Sequence, residues 1–144
     1  TSEPLAEPVE VTGRILARLW VSADAPDTDF MVKLCDVYPD GRSFNLCEGA
    51  LRARFRDGFT QEKPLVPGKV YPVQVDLWST SVIFNKGHRI RAQVTSSSSP
   101  GYDPNPNTGR PFRDGAPAQP VNVKIHTGSK YPSHLLLPVV PTSD

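Results

Sequence analysis

The sequence predicts an all-β chain folded as a jelly-roll β-sandwich, and three observations carry that prediction. Apolar and polar residues alternate with period two through successive segments, the mark of half-buried strands. No window sustains apolar residues at i, i+3 and i+4 over three turns, and the 16 prolines are spread through the chain, so helix is at most incidental. Turn-forming clusters separate the alternating segments at even spacing, which leaves seven or so short strands.

The first strand is the longest. Val9, Val11, Ile15, Ala17, Leu19 and Val21 share one parity, and Glu10, Thr12, Arg14, Arg18 and Ser22 share the other. Gly13 interrupts the apolar series where a bulge or a close backbone approach is expected, and Ala23-Asp24-Ala25-Pro26-Asp27 ends it with turn residues. Residues 30–38, the turn Pro39-Asp40-Gly41-Arg42 and residues 43–56 read as a hairpin, because Asp-Gly accepts the positive φ of a tight turn. The return strand sets Leu51, Ala53 and Phe55 against Arg52, Arg54 and Arg56, so its polar side must meet solvent or carboxylates.

A Pro- and Gly-rich approach over residues 62–69 leads to a strand at residues 70–78, where Val73, Val75 and Leu77 alternate with polar residues. Pro72 has no N–H to donate, which places it on an edge or at the opening of the strand. Ile90, Ala92 and Val94 then alternate with Arg89, Arg91 and Gln93; later Val121, Val123 and Ile125 alternate, and residues 135–140 form a last short strand. Between these lies the run Ser96-Ser97-Ser98-Ser99-Pro100-Gly101-Tyr102-Asp103-Pro104-Asn105-Pro106-Asn107-Thr108-Gly109. Hydroxyls and amides that bond their own backbone make this a long ordered loop at a strand end, a contact surface rather than more sheet.

At 144 residues the chain suits one β-sandwich domain over 1–144 and buries roughly 68–70% of its unfolded surface. With 16 basic and 15 acidic side chains the formal charge is +1, so no basic field collects phosphates and nucleic acid is not an expected partner. The strongest apolar stretch, Leu135-Leu136-Leu137 with Val139-Val140, is broken by Pro138 and too short for a bilayer span, so no membrane partner is expected. The start at Thr1 has neither Met nor the charged and apolar regions of a signal peptide; it fits a fragment or processed product and gives no address. Two cysteines are too few for a disulfide scaffold and Cys35-x11-Cys47 is not a zinc spacing. With a three-residue hairpin loop the two thiols face each other across the arms, where a disulfide is allowed, although reduced thiols are the commoner state.

Residue types for several chemistries are present, each with a plainer reading. No G-x-S-x-G elbow occurs; Ser96 to Ser99, His88 and Asp103 supply the members of a triad, but serines beside proline serve their own backbone. Asp103-x-Asn105-x-Asn107 with Asp114 has the oxygens of a calcium loop, yet Gly109 falls one place late and three prolines intervene, so Asx turns are expected and no cofactor. His88, His126 and His134 show no metal-ligand spacing. Trp20, Trp78, Tyr102 and Phe112 would suit a sugar-stacking platform, although packing under a loop or against another domain is commoner. Trp20 is the odd member, since it sits on the polar parity of its strand.

From Pro8 onward the blocks Val11-Thr12-Gly13, Asp27-Thr28-Asp29-Phe30, Asp36-Val37-Tyr38-Pro39-Asp40-Gly41, Leu51-Arg52-Ala53-Arg54-Phe55-Arg56, Gly87-His88-Arg89-Ile90-Arg91, Asn105-x-Asn107-Thr108-Gly109 and Pro132-Ser133-His134-Leu135 resemble a known domain. It is the C-terminal β domain of the X-prolyl dipeptidyl-peptidase, cocaine esterase, α-amino acid ester hydrolase and glutaryl-7-aminocephalosporanic acid acylase family. The resemblance implies a galactose-binding-like jelly roll, without catalytic residues of its own, attached to an upstream α/β-hydrolase domain that carries a Ser-His-Asp triad. Family domains usually have several dozen more residues before the first block, so first strands are expected to be missing. The sandwich then either closes without them or displays an edge through which copies would associate. Residues 96–114 with 27–29 are expected to form part of the surface toward the catalytic domain, through Asp27, Asp29, Tyr102, Asp103, Asn105, Asn107, Arg110 and Arg113. The rival expectations are an autonomous carbohydrate-binding jelly roll and a calcium-stabilised interaction domain.

Overall fold

The computed structural model describes residues 1–111 and 114–141. Among them are seven strands: β1 Val9–Ala23, β2 Asp29–Val37, β3 Ser43–Arg52, β4 Tyr71–Phe84, β5 Arg89–Thr95, β6 Val123–His126 and β7 His134–Leu136. Their only helical element is one 3-10 turn, Ala53–Phe55. In the first sheet β1 pairs with β4 along one side and with β6 and β7, end to end, along the other. The second sheet has the order β3-β2-β5, and every pairing in both is antiparallel. The chain changes sheet at the β1–β2, β3–β4, β4–β5 and β5–β6 connections, the traffic of a β-sandwich built as a jelly roll. No helix of the described residues is long and apolar enough to cross a membrane.

The core is the inward parity of both sheets. Val11, Ile15, Ala17, Leu19 and Val21 of β1 and Val73, Val75, Leu77 and Phe84 of β4 pack with Phe30, Val32 and Leu34 of β2. Each large apolar side chain so buried contributes about 1.5–3 kcal/mol.

The hairpin forms as expected. Tyr38 N–H donates to Arg42 O and Gly41 N–H to Tyr38 O, both at 2.9 Å, and Gly41 takes φ +89°. A bulge at Leu34/Cys35 then changes the predicted cysteine pairing: Cys47 lies opposite Leu34 and Cys35 opposite Asn45. The thiols therefore do not face each other directly, and both are free. Burial, with Cys35 nearby, pushes the Cys47 thiol up, away from the reactive thiolate.

Two other expectations change. The return strand ends at Arg52, because Ala53 N–H turns to Thr28 O at 2.9 Å and Arg54 N–H to Asp27 Oδ1 at 3.0 Å. Alternation stops there, so Ala53 and Arg54 are both buried. The strand predicted to close at Trp78 instead continues to Phe84. It does so through a bulge: Leu16 pairs with Asp76 but Arg14 with Ser79, and Trp78 takes φ +67°. Asp76 Oδ1 accepts the Trp78 N–H at 2.9 Å, while Oδ2 accepts Arg14 Nε at 3.0 Å. Those bonds, Arg14's first, hold the Asp76 carboxyl below the usual carboxylate range.

Pro72 is the second residue of β4, an outer strand, so both readings of it hold. Gly13 has φ +137°, and a Cβ there would lie 3.0 Å from the Pro138 ring. The outer edge of β5 is partly covered by the first residues: Ser2 N–H donates to Ile90 O and Leu5 N–H to His88 O, both at 2.8 Å.

Candidate functional site

Strands β1, β2, β3 and β5 place the 23–29, 52–67 and 95–123 connections at one end of the sandwich. There the predicted loop docks on residues 26–29, and a Cβ on Gly109, whose φ is +68°, would sit 3.0 Å from Pro26. Asn105 is the peg. Its Nδ2 donates to Asp27 Oδ2 at 2.9 Å and to Asp29 Oδ1 at 2.7 Å, while its Oδ1 accepts the Asn107 N–H at 2.9 Å.

Two arginines complete the network. Arg52 grips Asp29 with both ends of its fork, Nε to Oδ1 at 2.9 Å and Nη2 to Oδ2 at 3.0 Å. Those bonds hold Arg52 above the ordinary guanidinium range against its partial burial, and the charges of Asp29, Asp27 and Asp103 add to them. Arg54 Nε lies 3.0 Å from Asp27 Oδ2, though not aligned as a hydrogen bond, and Nη1 reaches Glu62 at 3.3 Å and the Arg110 carbonyl at 3.2 Å. Asp27, Asp29, Arg54 and Asn105 are buried, so the network is two carboxylates against two guanidiniums bridged by a neutral amide. Such charges are tolerated inside because each is paired.

Above this base an open cleft of about 300 Å³ is lined by Asp29, Met31, Ala50, Arg52, Phe55, Tyr102 and Asp103. Tyr102, Asp103 and Arg110 are exposed, and Asn107 is half-buried with its Nδ2 donating to Gln119 O at 2.8 Å. The structure thus brings together seven of the eight predicted surface residues; Arg113 lies outside the described residues. Asp27, Asp29 and Asn105 work underneath the surface, whereas Tyr102, Asp103 and Arg110 stand on it. Sequence reasoning assigned Arg52 and Arg54 a need for carboxylates without naming Asp29 and Asp27, and Glu62 was not singled out.

The catalytic alternatives do not assemble. His88 Nδ1–H donates to Asp36 Oδ1, 2.9 Å away, at the foot of β5, and Ser96 lies beyond its head, roughly 26 Å along the strand. Asp29 and Asp27 have both oxygens engaged, so neither is available as a base. The oxygens of the calcium-like spacing serve turns: Asp114 accepts the Ala116 N–H at 2.9 Å and pairs with Arg110 at 2.6 Å. Among the described residues no group of three His, Cys, Asp or Glu is placed to hold a metal. Nor do the described aromatics form a common platform: Trp20 packs against Tyr131 with tilted rings 5.3 Å apart, Trp78 stands on the β4 bulge and Tyr102 lines the loop cleft, while Phe112 lies outside the described residues.

Residues 1–136 match the family described as the X-Pro dipeptidyl-peptidase C-terminal non-catalytic domain. The chain belongs to this family. It is 45% identical over 142 residues to a cocaine esterase of Rhodococcus sp. (strain MB1 Bresler), a match that takes in 97% of this chain and 25% of that protein. An aminopeptidase from a marine sediment Thaumarchaeota archaeon superposes with TM-score 0.92 at 36% identity, over 97% of this chain and 25% of the other. An α-amino acid ester hydrolase superposes with TM-score 0.91 at 33% identity, over 96% and 24% respectively. The chain therefore spans about a quarter of the length of these relatives.

Proposed function

We propose that this X-Pro dipeptidyl-peptidase C-terminal domain packs on the catalytic module of an α/β-hydrolase-type serine hydrolase and helps to wall its substrate pocket. One observation carries the reading: an exposed polar rim, Tyr102, Asp103 and Arg110, rests on a buried, ion-paired base beside an open cleft. A rim tied down at Asn105 keeps its shape when a neighbour docks, and a rigid wall excludes water and narrows access better than a free loop. The parent activity within this reading is attack on an ester or amide carbonyl through an acyl-enzyme, by residues outside this chain. Self-association, within the same proposal, runs through the outer side of β6 and β7, with which no further strand of the described residues pairs.

The test is Tyr102→Ala and Arg110→Glu in the full-length protein. We expect KM or kcat/KM to change by roughly fivefold, the equivalent of about 1 kcal/mol, or the melting temperature to fall. Kinetics and melting both unaltered would count against the assignment. Saturable glycan binding by the chain alone would favour a carbohydrate-binding module in its place.

A further inference from the structure

The outer face of the first sheet carries a second cleft, of about 410 Å³, that shares no residue with the loop cleft. Strand register builds it. Gln74 of β4, Arg18 of β1 and His134 of β7 form one row across three strands, and Pro72 and Trp20 form the next. Directly opposed residues on one face stand within side-chain reach, so polar groups from three strands converge there. Arg56, arriving from the 52–67 connection, closes one side.

Its charge is unbalanced. No Asp or Glu lines the cleft. Of the nine described arginines, six make ion pairs, namely Arg14, Arg42, Arg52, Arg54, Arg89 and Arg110. Of the three that do not, Arg18, Arg56 and Arg91, two line this cleft. Arg18 has one side-chain bond, Nε to Gln74 Oε1 at 3.3 Å, and keeps its Nη donors free. Arg56 is fixed by Nη1 bonds to the carbonyls of Ala53, at 3.1 Å, and Lys63, with its guanidinium 4.4 Å from the Tyr71 ring centre. His134 donates Nδ1–H to Pro132 O at 2.6 Å, which leaves Nε2 as its open nitrogen. Trp20, the aromatic on a polar parity, is anchored by its N–H to Ser133 Oγ at 2.8 Å and by the Tyr131 ring.

We propose that this cleft binds a small organic oxyanion, with Arg18 and Arg56 taking the charged group and Trp20 and Pro72 the flat or aliphatic body. A preset guanidinium beside a second, unpaired one suits the planar fork geometry of a carboxylate or phosphate. The volume fits a small molecule, and a formal charge of +1 supplies no extended field for a polyanion. The proposal does not depend on the interdomain reading, since the two clefts are separate.

Calorimetric titration of the full-length protein with phenylacetate, phenyl phosphate and neutral benzyl alcohol tests it. We expect at least one anion to bind, with the tighter arm naming carboxylate or phosphate, and benzyl alcohol to bind at least about tenfold more weakly. Arg18→Gln is expected to weaken the anion by about tenfold at unchanged melting temperature, and Arg18→Lys to weaken it less, because the charge stays while the planar fork is lost. His134→Gln is a second probe that leaves both arginines in place and is expected to weaken the anion less than Arg18→Gln does. Absence of anion binding, equal binding of benzyl alcohol, or an Arg18→Gln protein that binds as the parent does would each overturn the proposal.

Discussion

Asn105 holds two buried carboxylates with a single amide nitrogen, at 2.9 Å from Asp27 and 2.7 Å from Asp29. Each contact is a hydrogen bond to a charged acceptor in a site from which water is excluded, the kind that contributes about 1.5–3 kcal/mol. Asn105→Ala should therefore cost about 2–4 kcal/mol and loosen the 96–114 loop. Urea unfolding measures the first effect and limited proteolysis of the loop the second. A loss below about 0.5 kcal/mol with unchanged cleavage would mean that water or another side chain satisfies the two aspartates equally well. Asp29, Asn105 and Asn107 were legible from the sequence as polar residues at turn positions. Their shared surface was expected from the resemblance; that Asn105 itself bonds both aspartates was not legible, because the contact joins segments about 76 residues apart.

At the scale of elements, the two sheets touch where β3 crosses the bulge of β4. Gly49 has its ordinary place in β3, yet a Cβ there would lie 2.0 Å from the Asp76 carbonyl oxygen and 2.7 Å from its carbon. Backbone cannot yield as a side-chain end can, so only glycine fits. Gly49→Ala should destabilise by about 3 kcal/mol, the upper part of the range for overpacking, and more if the bulge at Trp78 is displaced. Denaturant melts check the magnitude, and the Trp78 fluorescence maximum reports movement of the bulge. A neutral Gly49→Ala would show that the sheets slide apart at little cost. The element boundaries that sequence reasoning misplaced fall at this same kind of feature. Bulges at Leu34/Cys35 and at Trp78 each break a period of two, and a tertiary bond to Thr28 ends β3 early.

For the whole molecule the arrangement is a scaffold with a rim rather than a reaction centre. Its one buried histidine pairs with Asp36 at the foot of β5, remote from the serines at its head. The chain on its own should turn over no activated acyl ester above the rate given by Ser96 to Ser99 replaced together by alanine. Stopped-flow hydrolysis of p-nitrophenyl acetate measures this. A rate abolished by any one of those replacements would place a nucleophile in this chain and contradict its non-catalytic role. Membership of the family and the sandwich fold were both legible in the sequence, the first from ordered motif blocks and the second from alternation.

What the sequence determined by itself was local: which residues face inward, where strands turn, and that an unusually polar loop follows β5. Backbone geometry of period two and the φ demands of Asp-Gly act within a few residues, so they can be read in order along the chain. Tertiary structure alone decided that Asn105 bridges Asp27 and Asp29, that Gly49 must admit a neighbouring backbone, and that Arg18 and Arg56 share a cleft without an acid. Pairing of charges and exclusion of a methyl group depend on distances of a few ångströms between segments far apart in the chain, and those distances exist only once both sheets have closed on their core.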